Sequence, residues 1–126
     1  MIDKNLAYAV VWASNDENKY GHKVFRDLLD AGYHVVPINP NEKEILWEKV
    51  YPTLSDYDQK IDVVIFVVPP KVTEMILDEV KQLKITHVRM QPWSESQNAI
   101  KFCEINNIEC IHDACIMIQR RAQDNE

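Results

Sequence analysis

Ile61-Asp62-Val63-Val64-Ile65-Phe66-Val67-Val68, closed by Pro69-Pro70, carries apolar side chains at almost every position. A strand with one wet face alternates apolar with polar residues. A strand covered on both faces does not, and such strands belong to parallel sheets with helices on either side. The two prolines end it. Neither has an N–H for a ladder, and a proline pre-sets the backbone for a helix start. Val72, Met75, Ile76, Val80 and Leu83 then recur at helical spacing.

The same unit recurs on both sides. Upstream, Leu6–Val11 reads as a buried strand and Ser14–Asn18 as a polar turn. Tyr20, Val24, Phe25, Leu28 and Leu29 mark an amphipathic helix that ends at Gly32. His34–Ile38 is a second strand, its outer end weakened by Pro37. Asn39-Pro40-Asn41 is a turn, Glu42–Trp47 a single helical turn, and Tyr51–Ser55 an irregular link. Downstream, His87–Met90 is a strand ended by Gln91-Pro92. Ser94–Asn106 is a helix with Ala99, Ile100, Cys103 and Ile105 inward. Ile108–Ile111 is a fifth strand and Ala114–Arg121 a terminal helix. Strands alternating with helices imply right-handed crossovers. The expected fold is therefore α/β: a Rossmann-like three-layer α/β/α domain over residues 1–122, with a frayed tail over 123–126. Its sheet is five-stranded and parallel, in the order 3-2-1-4-5.

Composition narrows the function classes. A chain of 126 residues suits one domain. A net charge of −6 argues against a broad nucleic-acid surface. No apolar run nears the roughly 18 residues of a membrane span. The first residues, Met1-Ile2-Asp3-Lys4-Asn5, show no signal-peptide pattern, so a cytoplasmic location is expected. Cys103, Cys110 and Cys115 are odd in number and clustered late, which reads as reduced thiols rather than a disulfide framework. Only two glycines stand beside three tryptophans.

In an open parallel sheet, ligands bind beyond the carboxyl ends of the strands where the order reverses. Loops diverge there, and helix N-termini point unpaired N–H groups into the gap. Trp12-Ala13-Ser14-Asn15 lacks G-x-G-x-x-G, which argues against an ordinary dinucleotide site. Ser14 reads equally as a phosphate ligand or as a turn serine. Lys19, His22, Lys23 and Arg26 gather at the start of the first helix, where cations oppose the helix dipole. They form either an anion site or a solvated face. His112, Asp113 and Cys115 are metal-ligating types, but no second cluster stands at ligand spacing, so no metal is expected. No catalytic set stands out, and no enzyme is expected.

Several stretches, in order, resemble the small stand-alone coenzyme A-binding proteins. That family is similar to the coenzyme A-binding domain of succinyl-CoA synthetase and of ADP-forming acyl-CoA synthetases. The stretches are Ala9-Val10-Val11-x-Ala13-Ser14, Lys19-Tyr20-Gly21, Gly32–Pro40, Val50-Tyr51-Pro52-Thr53-Leu54, Asp62-Val63-Val64, Val67-Val68-Pro69-Pro70, Met90-Gln91-Pro92 and His112-Asp113-Ala114-Cys115-Ile116. The resemblance implies a coenzyme A site in the switch-point crevice. Ala13, Ser14 and Asn15 would contact phosphates, and Lys19 and Lys23 would supply charge. Asn39 and Pro40 would flank the adenosine. Val68 and Pro69 would wall the ligand, and Gln91 would line the far side. Cys115 would be placed for a mixed disulfide with the coenzyme's thiol.

The chain departs from that family at three positions where the family pattern has glycine: Trp12, Trp47 and Trp93. Trp12 and Trp93 are expected to face the crevice and to occupy ligand space. The leading expectation is a non-catalytic coenzyme A- or acyl-CoA-binding protein, a monomer or weak homodimer. One alternative is a scaffold or interaction protein whose nucleotide site is lost. Another is an NAD(P)-binding redox sensor, disfavoured because Asn39 stands where an acidic residue should close the second strand.

Overall fold

Five short strands carry the fold: β1 (Ala7–Val11), β2 (His34–Ile38), β5 (Val63–Phe66), β6 (His87–Met90) and β7 (Glu109–Ile111). Two further pairs of residues, β3 (Glu44–Ile45) and β4 (Glu48–Lys49), form a separate hairpin. The helices are α1 (Tyr20–Asp30), α2 (Pro70–Gln82), α3 (Gln97–Ile105) and α4 (Ile116–Asp124). The computed structural model describes residues 2–125.

The main sheet is parallel throughout, in the order β2-β1-β5-β6-β7. Beyond β2 lies one more parallel bridge, between Ile38 and Tyr51. With that bridge as the rudimentary third member, the row begins 3-2-1-4-5 and β7 continues it. Third place thus goes to Tyr51. The strand read from Ile61–Val68 becomes β5, on the other side of β1. Pro37 explains the reduced edge: it offers no N–H, and only its carbonyl takes the Tyr51 N–H, at 3.1 Å. The chain moves outward from β1 to β2, then crosses back over β1 to β5. That reversal opens the crevice between the carboxyl ends of β1 and β5.

Both faces of the sheet are buried. Tyr8, Val10, Val35, Val63 and Ile65 pack on Val24, Phe25, Leu28 and Ile116 of α1 and α4. Ala9, Val11, Val64, Phe66, Val88 and Met90 pack on Leu77, Val80, Ala99 and Cys103 of α2 and α3. Two-sided burial is why the central strands lack polar alternation. On the α1–α4 side, Arg120 grips Asp27 through two contacts of 2.7 and 3.0 Å.

Four expectations change. Glu42–Trp47 does not form a helical turn. Leu46 and Trp47 both take left-handed backbone (φ 50° and 70°) and make the two-residue connection of the β3–β4 hairpin. That twist matches paired strands, whereas a helix needs right-handed φ. His22 leaves the expected basic patch: it is buried on α1. Ile105 faces outward, 69% exposed, because the α3 stripe runs through Ala99 and Cys103. Gln123 and Asp124, expected in a frayed tail, belong instead to α4, and Gln123 bonds both backbone groups of Ile2 (3.0 and 2.7 Å); Glu126 lies outside the described residues. Among the described residues, no helix is long and apolar enough to cross a membrane.

Candidate functional site

The switch-point crevice has a volume of about 390 Å³, within the usual range for ligand sites. One wall is the turn after β1, with Trp12 and Ser14, running on through Asn18 and Lys19 to Tyr20 and Gly21 at the head of α1. The opposite wall is Val67, Val68 and Pro69 after β5. Asn39 and Trp93 close the ends.

Two helices begin at this crevice. Lys19 is the N-cap of α1 and Pro69 that of α2. Neither receives a side-chain cap, and neither helix has an acidic residue in its first turn. The leading N–H groups of a helix have no intrahelical partner, and the helix dipole makes that end attractive to anions. Lys19 adds a full positive charge.

The loop over the crevice is tied to its neighbours. Asn39 Nδ2 donates to the Ala13 carbonyl at 2.8 Å, and His22 Nδ1 donates to the Ser14 carbonyl at 2.8 Å. Ser14 Oγ accepts from the Asp16 N–H at 3.0 Å, so the turn role is real. Its hydroxyl proton remains available. Asn15 turns away: its N–H and side-chain amide go to Glu42, and the amide also to the Glu44 carbonyl.

Aromatic rings form the rest. Tyr20 and Trp93 lie 4.5 Å apart, inclined by 40°. Lys23 Nζ sits 5.0 Å from the Tyr20 ring centre. Trp93 is carried by a 3-10 turn over Pro92–Ser94. Ser94 anchors that turn: its Oγ accepts from the Val68 N–H at 2.9 Å, and its carbonyl accepts from Thr73 Oγ1 at 2.8 Å. Trp12 has a left-handed backbone, φ 47°. The third tryptophan, Trp47, lies on the hairpin and is 91% exposed.

The crevice thus unites Trp12, Ser14, Lys19, Asn39, Val68, Pro69 and Trp93 from the expected set. Ala13 is buried in the core, Asn15 bonds to the hairpin, Pro40 is exposed, and Lys23 touches the site only through the Tyr20 ring. Gln91 is fully buried. Its Oε1 accepts from the Ile116 N–H at 3.0 Å and its Nε2 donates to Cys115 Sγ at 3.4 Å. It therefore fastens the start of α4, and Cys115 lies with it outside the crevice lining. Sequence reasoning missed Asn18, Tyr20, Gly21 and Val67. Tyr20 was legible as part of the helix stripe and of the Lys19-Tyr20-Gly21 stretch, but not as a contact, since its meeting with Trp93 is a tertiary one.

The other thiols are remote. Cys103 and Cys110 pack together beneath α3. The hydrogen bond between them lowers the Cys103 pKa and, with burial, raises that of Cys110. No carboxylate, imidazole or thiol is among the described residues lining the crevice. An ammonium, two hydroxyls, two amides and helix N–H groups suit an anionic ligand with flat or apolar parts.

A family model described as a CoA binding domain matches residues 7–121. The chain is 38% identical over 72 residues to the alpha subunit of an ADP-forming acetate–CoA ligase II from Pyrococcus furiosus, covering 56% of this chain and 16% of that subunit. It is 33% identical over 64 residues to an uncharacterized protein of Bacillus subtilis, covering 51% of this chain and 47% of that protein. The matched stretches therefore span under half of either relative. Among solved structures, a conserved hypothetical protein from Pyrococcus furiosus superposes with a TM-score of 0.85 at 34% identity, covering 90% of this chain and 97% of that one. A hypothetical protein from Pyrococcus horikoshii gives 0.85 at 28% identity, covering 92% and 81%.

Proposed function

The chain belongs to the CoA-binding domain family, and from that premise we propose that it binds coenzyme A or an acyl-CoA, without catalysis, in the crevice between β1 and β5. The observation that carries this reading is the uncapped N-terminus of α1, opening beside Lys19 onto the crevice. The α1 amides, Ser14 and Lys19 take the phosphates. Asn39 flanks the adenosine, and Val68 and Pro69 wall the apolar part. Trp12, Tyr20 and Trp93 line the same space and narrow it. The non-catalytic part of the reading comes from the resemblance to stand-alone binding proteins; the described lining offers Ser14, Lys19 and Tyr20 as its hydroxyl and ammonium groups.

Calorimetric titration with coenzyme A tests this. We expect one site of micromolar affinity. Absence of binding at millimolar coenzyme A would overturn it.

Trp47 favours a second reading, a protein-contact role, since a nine-tenths exposed indole beside Leu46, itself more than a third exposed, is the kind of group interfaces bury. Sedimentation of the wild type and of Trp47→Gly distinguishes it: self-association lost in the variant supports contact through the hairpin, and identical profiles count against it.

A further inference from the structure

We propose that Glu95, His112 and Asp113 form a site for a divalent transition-metal ion, with zinc as the representative case. The three residues come from two segments: Glu95 follows the turn that carries Trp93, and His112 and Asp113 follow β7. One ligand atom from each falls within 4.8 Å of the others. His112 Nδ1 lies 3.2 Å from Asp113 Oδ2 and 4.0 Å from Glu95 Oε2. Ligand atoms held tetrahedrally at zinc's usual bond lengths of about 2.0–2.2 Å stand roughly 3.3 Å apart. The observed spacings thus need only small side-chain rotations to close on one ion.

The backbone holds the cluster together. Asp113 takes a left-handed conformation, φ 59°, which bends the chain back after the strand. Its N–H then donates to Glu95 Oε2 at 2.8 Å, joining the two segments across the gap. One imidazole nitrogen and two carboxylate oxygens suit zinc, cobalt or manganese, and three protein ligands leave positions for water. The side chains are 22%, 35% and 76% exposed for Glu95, His112 and Asp113, so an ion can enter from solvent. Cys115, two residues on, does not join the set: its sulfur accepts from the buried Gln91 amide.

The site does not share residues with the coenzyme A crevice, so the test is run on the chelator-treated 126-residue chain without coenzyme A. Zinc chloride is titrated calorimetrically at neutral pH. We expect one equivalent to bind, His112→Ala to weaken binding about tenfold or more, and Asp113→Asn to weaken it similarly. Asparagine tolerates the left-handed turn, so that variant keeps the fold. His87→Ala, which removes the other histidine–carboxylate pair (His87 with Glu109, 2.8 Å), should leave zinc binding unchanged. No binding at millimolar zinc, wild-type affinity in His112→Ala, or loss in His87→Ala instead would each overturn the assignment.

Discussion

The backbone carbonyl oxygen of Trp12 lies 2.1 Å from the point where a Cβ on Gly21 would stand. The turn after β1 and the first turn of α1 meet there through main chain, and both residues line the crevice. A backbone oxygen cannot rotate aside as a side chain can. Gly21→Ala must therefore push the loop and the helix apart. The expected cost is about 2–3 kcal/mol, read as a lower urea midpoint with an unchanged slope. An unchanged midpoint would show that the contact is looser than described.

Trp12 and Trp47 both hold left-handed backbone, a conformation that costs a bulky residue roughly 1–2 kcal/mol and glycine almost nothing. Trp47 is almost wholly exposed, so Trp47→Gly loses little packing. It should stabilise the protein by about 0.5–1 kcal/mol after glycine's extra chain entropy is counted. Trp12 is only 38% exposed, and its replacement forfeits more contact, so Trp12→Gly should gain less or lose stability. Thermal unfolding of the two variants side by side checks the contrast.

Trp12→Gly should instead tighten coenzyme A severalfold by widening the crevice, while Trp47→Gly leaves affinity alone. Equal affinities in all three proteins would mean that the Trp12 ring does not compete for ligand space.

Lys19→Ala should weaken coenzyme A by about threefold to tenfold, and the difference should shrink at high salt. Calorimetry at two ionic strengths measures it. A salt-independent loss would point to packing rather than charge.

Arg89 is a buried cation whose described side-chain partner is the neutral amide of Gln119. Burial pulls its pKa down. Gln119→Glu should add about 1 kcal/mol at neutral pH by supplying a charged acceptor. The introduced carboxylate would have a folded-state pKa below its unfolded value of about 4.3. The gain is therefore complete above that value and disappears as pH falls through the lowered one. Urea titrations at neutral and at acid pH test both halves.

Much of this was readable from the chain. The all-apolar run of β5, the Pro-Pro stop and the stripe of α1 carried the parallel sheet and its two covered faces, because burial and period are local properties of a segment. Ser14 and Lys19 could be weighed as ligand contacts because strand ends and helix starts are local too, whereas Asn39 and Val68 were placed at the crevice only by the family resemblance. Gln91 could not be judged this way. Its position at a strand end looks like that of a ligand contact, and only packing shows its amide serving the start of α4. The Leu46-Trp47 turn was equally hidden, since neither residue announces left-handed backbone.

What the sequence determined by itself is the succession of the main strands and helices and the end of the sheet where the crevice opens, since each follows from short-range periodicity and from the steric limits of proline and glycine. Tertiary structure alone decided which side chains meet there. Tyr20 packs at a tilt on Trp93 across more than seventy residues, and Glu95 reaches His112 from another loop. Such pairs depend on how crossovers return the chain to the sheet, and on the few ångströms by which packed helices settle on it. At the tip of β1, Trp12 and Gly21 both line the crevice, where the carbonyl of the one lies against the backbone of the other.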